Sequence, residues 1–182
     1  MKIGISTASF TEYETEDALS LLKEAGAQTC EVYLKTFYEY RPEFAKKYAE
    51  RLAGVEVSCI RVNSQNFEPQ LFSPSRRVRG DGFYWLDQVL RSAQLFGAKN
   101  YILSGLPNTE DLTPVADFCA RYGVNILVEN CSDVLGLKLK CVYLQDMQGA
   151  IVAVRVSKAD KKTLSKLKAA GFDGTVFADN IK

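Results

Sequence analysis

The 182-residue chain contains no histidine. This excludes histidine as general base, nucleophile or metal ligand, the roles it fills most often near neutral pH. Cysteine is scarce: Cys30, Cys59, Cys119, Cys131 and Cys141 are an odd number with no CxxC spacing. Such thiols are expected to be reduced, buried small hydrophobes. Without a histidine base, Cys59 and Cys131 lack what a thiol nucleophile needs. Charge of one sign is also missing, with 23 basic residues against 22 acidic ones. No strong field draws the chain to nucleic acid or to an anionic membrane. No apolar run is long enough to span a bilayer, and Met1–Ser6 reads as the start of a strand rather than a signal peptide. A cytoplasmic protein with no membrane or nucleic-acid partner is therefore expected. Walker-type loops, a GxSxG elbow and a Cys-His pair are absent too.

What is present is ordinary globular material, 47% hydrophobic and 25% charged. A chain of this length buries roughly 70% of its unfolded surface, so one domain over residues 1–182 is expected to fold without disulfide or metal. One pattern recurs along it: an amphipathic helix, a glycine, then a short β-branched or apolar run. The glycines are Gly26, Gly54, Gly97, Gly123 and Gly171. Glycine closes a helix in the left-handed conformation, and continuous apolar runs after it suit parallel strands covered on both faces. Strands alternating with helices imply an α/β fold with a parallel sheet.

Seven strands are predicted, at about residues 2–8, 29–34, 55–62, 100–105, 124–130, 140–145 and 174–178. Pro42 suits the first turn of a helix running to Ala53, and Ser157 with Asp160 resembles a capping box. The segment from Gln65 to Gly82 reads as a long loop. Between Asn130 and Lys140 there is too little chain for a crossover helix. The expected architecture is an incomplete (β/α) TIM-type barrel of about seven parallel strands, without helices near the sixth unit and the C-terminus.

The segments KIGISTASF, EDALSLLKEAG, CEVYL, Val57–Leu71, AQLFGAKNYILSG, ARYGVNILVEN, CVYLQDMQG and LKAAGFDGTVF, in that order, resemble units of the xylose isomerase-like sugar isomerase/epimerase superfamily. The resemblance covers nearly the whole chain. It implies a sugar or sugar-phosphate isomerase or epimerase whose chemistry depends on a divalent cation, Mg²⁺ or Mn²⁺, at the C-terminal rim of the strands. Carried over position by position, it makes Glu129 a catalytic group and metal ligand, and Asp146 a second one. Where relatives usually carry histidine, this chain has Arg61, Ser104 and Tyr143. At the last strand it offers only Asp179. A fixed positive charge at Arg61 stands where a cation would sit, so the metal site is read as degenerate.

Several residues keep two readings at this stage. Glu129 is either functional or a structural partner of Arg61, and Glu31 either organises the mouth or forms a salt bridge inside the barrel. Asp146 is a ligand or an ordinary turn aspartate. Arg61 suits an anionic ligand or a salt bridge to Glu129. Asn63 and Arg77 join Arg61 and Glu31 as expected ligand contacts, although Arg76, Arg77 and Arg79 equally suit a solvated surface or a subunit contact. Phe37, Tyr38 and Tyr40 suit a sugar-stacking wall or a packed plug. The expected ligand is a small sugar or sugar phosphate, polar or anionic. The alternatives are a catalytically inactive binding or regulatory barrel and, less favoured by charge, a relative of the apurinic-site endonuclease. A barrel short of one strand would expose a sheet edge, so a homodimer is expected.

Overall fold

The computed structural model describes residues 1–104, 111–130 and 141–179. Eight strands close into a barrel in sequential order. β1 (Lys2–Ser6) leads through helix α1 (Thr15–Glu24) to β2 (Thr29–Leu34), and α2 (Pro42–Tyr48) leads to β3 (Glu56–Val62). A short helix α3 (Ser64–Phe67), a 3₁₀ turn (Glu68–Phe72) and the long α4 (Arg76–Phe96) precede β4 (Asn100–Leu103). Then follow α5 (Thr113–Ala120), β5 (Asn125–Asn130), β6 (Cys141–Gln145), β7 (Ile151–Val156), α6 (Lys161–Ala169) and β8 (Thr175–Ala178).

The barrel class agrees with the sequence reading, but the strands number eight rather than seven, and they are not all parallel. β6 runs antiparallel to both β5 and β7. Only residues 146–150 join β6 to β7, far fewer than the dozen or more that a parallel crossover needs, so the chain reverses as a hairpin. Asp146 builds that turn by accepting hydrogen bonds from Gln148 N (3.0 Å) and Ala150 N (2.9 Å). Between β6 and β7 a reversal of the chain thus stands where a parallel barrel would carry a crossover helix; the segment between Asn130 and Lys140, read as too short for such a helix, lies outside the described residues. β8 pairs with β1 from Lys2↔Thr175 to Ile5↔Ala178, which removes the open edge on which the homodimer expectation was based.

The helix boundaries are locally encoded. Pro42 sits in the first turn of α2, and Gly97 closes α4 at φ +77°. Asp160, rather than Ser157, caps α6, accepting from Thr163 N at 2.8 Å. The Gln65–Gly82 segment is mostly helical. α4 runs through Gly80 and Gly82, and Gly82 packs against the 3₁₀ turn, where a Cβ would lie 2.9 Å from Leu71 N.

Apolar side chains sort into three regions. The outer faces of β1–β5 pack against the helices through Leu19, Leu22, Ile60, Leu86, Leu90 and Leu103. α6 covers β6–β8 through Leu167, Tyr143, Val154 and Val176. Inside the barrel, Cys59, Ile102, Leu127, Leu144, Ala153 and Phe177 form a dry layer. No helix among the described residues is long and apolar enough to cross a membrane.

Candidate functional site

Side chains alternate along a strand, so the inward positions one step above the dry layer come from the strand ends facing the C-terminal mouth. From β1, β2, β3, β5 and β7 these are Ser6, Glu31, Arg61, Glu129 and Arg155, and they form one ion-pair network. Glu31 is fully buried. It accepts from Ser6 Oγ (2.9 Å) and Arg61 Nε (2.9 Å) on one oxygen, and from Arg155 Nη2 (2.5 Å) on the other. Arg155 Nη1 also donates to Glu129 Oε1 at 2.6 Å, and Arg61 Nη1 lies 3.7 Å from the same oxygen. The Arg61 guanidinium stacks over the Tyr33 ring, 4.4 Å from its centroid.

Burial alone would raise the Glu31 carboxyl, but the charges of Arg61 and Arg155 and the hydrogen bonds from Arg155 and Ser6 outweigh it and hold it below its ordinary range. For Arg155 the burial penalty is likewise outweighed by Glu31 and Glu129, which raise its affinity for the proton. Two further carboxyls lie within the field of this network. Burial lifts Asp179, just beyond β8, against the nearby Arg155. Glu68 is pushed up to about 8 by burial, despite hydrogen bonds from Tyr101 OH (2.5 Å) and Ser104 N (3.1 Å), and Glu129 adds to the rise.

The structure brings together Glu31, Arg61 and Glu129, as the residue-by-residue reading allowed. Asp146 is not among them. Because β6 runs downward, the β6–β7 turn lies at the opposite end of the barrel, beside the starts of β4 and β5. There Asp146, Met147 and Gln148 line a surface groove with Asn100 and Asn125. The expected pairing of Glu129 with Asp146 around a cation therefore does not form. Glu129 carries a guanidinium instead, and no group of three or more His, Cys, Asp or Glu able to hold a metal ion exists among the described residues. These residues do not fit a divalent cation.

The other candidates separate in the same way. Asn63 sits at the rim after β3 and caps α3, accepting from Gln65 N at 3.3 Å. Arg77 is exposed in the first turn of α4, outside the network, and its neighbour Arg79 donates to Ser73 O at 3.0 Å. Tyr143 faces the outer wall with Val154 and Leu167 rather than the mouth. The aromatic run divides: Tyr40 is fully buried and hydrogen-bonded to Asn66 (2.7 Å), whereas Phe37, its ring 4.6 Å from that of Trp85, and Tyr38 stay exposed. Cys30, Cys59 and Cys119 are free and buried, their thiols raised to about 12 mainly by burial. Cys131 lies outside the described residues. Ser6, Arg155 and Glu68 are residues that sequence reasoning missed. Arg155 could have been found from the run IVAVRV, whose β-branched residues mark a strand.

No protein-family model and no curated protein matches the sequence. Solved structures do match. A D-tagatose 3-epimerase-like protein aligns with a TM-score of 0.67 at 14% identity, covering 100% of this chain and 92% of that one. The apo form of 3-keto-D-glucoside 4-epimerase from E. coli aligns at 0.62 and 13%, covering 100% and 93%. A xylose isomerase domain protein from Planctomyces limnophilus aligns at 0.51 and 13%, covering 74% of this chain and 54% of that one. The chain has the fold of the xylose isomerase-like TIM barrels found among sugar isomerases and epimerases.

Proposed function

We propose that this barrel binds a small polyhydroxylated ligand of the sugar class at its C-terminal mouth, over the Glu31–Arg61–Glu129–Arg155 network, without a divalent cation. One observation carries the reading. Arg155 Nε is a buried donor with no hydrogen-bond partner among the described residues, although both Nη atoms of the same guanidinium are paired with carboxylates, and Ser104 Oγ, just past the end of β4, is a second such buried polar atom. A buried unpaired donor at a barrel mouth calls for an acceptor oxygen, and a sugar hydroxyl or carbonyl supplies one. The fold match to two epimerases named for carbonyl sugars supports the same class. Two glutamates balance two arginines here, which favours a neutral sugar over a sugar phosphate. Isothermal titration in EDTA with ketoses and ketose phosphates tests it. Neutral-ketose binding that Arg61→Ala abolishes is the expected result, and no heat from any sugar sinks the reading.

A second reading, turnover, rests on Glu68. A carboxyl that keeps its proton near neutral pH, within the field of the arginine-paired Glu129, resembles an acid set beside a base. Epimerisation of a ketose that is lost in Glu68→Gln, with sugar binding retained, would select this reading over a purely binding barrel. A homodimer also remains proposed, now through exposed Ile3 and Val152 on the outer faces of the strands flanking β8. Sedimentation as a monomer at micromolar concentration counts against it.

A further inference from the structure

We propose that Arg155 is the resident cation of this barrel, and that removing it uncovers an oxygen-ligated site for a hard divalent ion. One guanidinium bridges Glu31 Oε2 at 2.5 Å and Glu129 Oε1 at 2.6 Å, joining carboxylates from opposite parts of the barrel. A divalent ion bound between two such carboxylates would make the same bridge. Arg155 is itself 9% exposed, and its Nε has no hydrogen-bond partner among the described residues.

Charge balance gives the consequence. As built, Glu31 and Glu129 oppose Arg61 and Arg155. Without Arg155, two carboxylates share the single guanidinium of Arg61, and Asp179 stands close enough to feel the same charges. Buried carboxylates left unpaired are costly, and an ion with all-oxygen ligation such as Mn²⁺ or Mg²⁺ relieves exactly that deficit in charge. Arg155 thus both excludes the metal and supplies its structural role. This goes beyond the ligand reading and does not depend on it, since the metal is measured with no sugar present.

The test is Mn²⁺ binding by the full chain after EDTA treatment, read from the loss of the free-ion paramagnetic resonance signal and from thermal melts. Wild-type protein is expected to leave the signal and the melt unchanged. Arg155→Ala is expected to bind Mn²⁺ at least about tenfold more tightly, the equivalent of about 1.4 kcal/mol. Adding Glu129→Gln to that variant should remove the gain. If Arg155→Ala does not fold alone, Mn²⁺ should restore a cooperative melt. Arg155→Lys, which keeps the charge, should fold and still exclude the ion. Tight Mn²⁺ binding by the wild type, a folded Arg155→Ala with no gain, or an unfolded one that Mn²⁺ does not rescue would each overturn the proposal.

Discussion

Arg155 Nη2 lies 2.5 Å from Glu31 Oε2, a contact between β7 and β2 across 124 residues of sequence. It ties the last third of the chain to the first and encloses two charges above the dry barrel layer. Such a pair is weak evidence of net stabilisation, because two desolvated ions are costly, yet breaking it from one side is severe. Arg155→Met is expected to lower unfolding stability by about 3–5 kcal/mol. Adding Glu31→Gln to Arg155→Met should recover part of that loss, because the fully buried carboxylate no longer faces Arg155's place and only the partly exposed Glu129 does. A double-mutant cycle from urea melts reads the coupling, and additive losses would show that the two residues act separately.

Glu68 makes stability depend on pH in the opposite sense from Glu31. Its carboxyl is raised in the folded state from 4.5 to about 8. Below the unfolded value both states hold the proton, so the contribution is fully present there. It is lost as pH rises through the window from about 4.5 to about 8. Glu68→Gln, which carries no titrating proton, should therefore be less stable than wild type at acid pH and overtake it at pH 8–9. The relative change is expected to be on the order of a few kcal/mol. Melts of both proteins across that range decide it, and parallel curves would contradict the assignment.

The parts of the site legible in the sequence are those whose neighbours are encoded nearby. Glu129 ends a continuous apolar strand after Gly123, and Arg61 ends another after Gly54, so both fall at strand ends that a barrel turns toward its mouth. Arg155 was not legible by the same rule, because β7 follows a hairpin turn rather than a helix and glycine. Asp146 was misplaced for the same reason: a strand read as parallel puts its end at the mouth, whereas the reversed β6 puts it at the opposite end. Glu68 has no local mark at all. Its burial depends on Tyr101, 33 residues away, and on a helical segment that Pro69, Gly80 and Gly82 disguise as a loop.

Asp146 is expected to matter to the hairpin and not to the mouth. Asp146→Ala removes two hydrogen bonds to the turn backbone, a loss of about 1–3 kcal/mol in total. Sugar titrations on the folded variant should match wild type, since the side chain sits at the far end of the barrel. A variant that keeps its melting temperature but loses ligand would return Asp146 to the binding site.

Gly82 is a position where the fold makes a sharp demand. A methyl group there would meet Leu71 N at 2.9 Å and Gln70 C at 3.1 Å, both backbone atoms that cannot rotate away. In an exposed helix glycine-to-alanine is stabilising by about 1 kcal/mol, but here steric overpacking opposes it at about 1–3 kcal/mol. Gly82→Ala is therefore expected to be destabilising, whereas Gly80→Ala, two residues earlier in α4 with nothing within 4 Å of its added methyl, should stabilise. The displaced 3₁₀ turn also carries Glu68, so Gly82→Ala should shift the pH dependence of stability and Gly80→Ala should leave it alone. Equal effects of the two substitutions in thermal melts would mean that α4 does not rest on that turn.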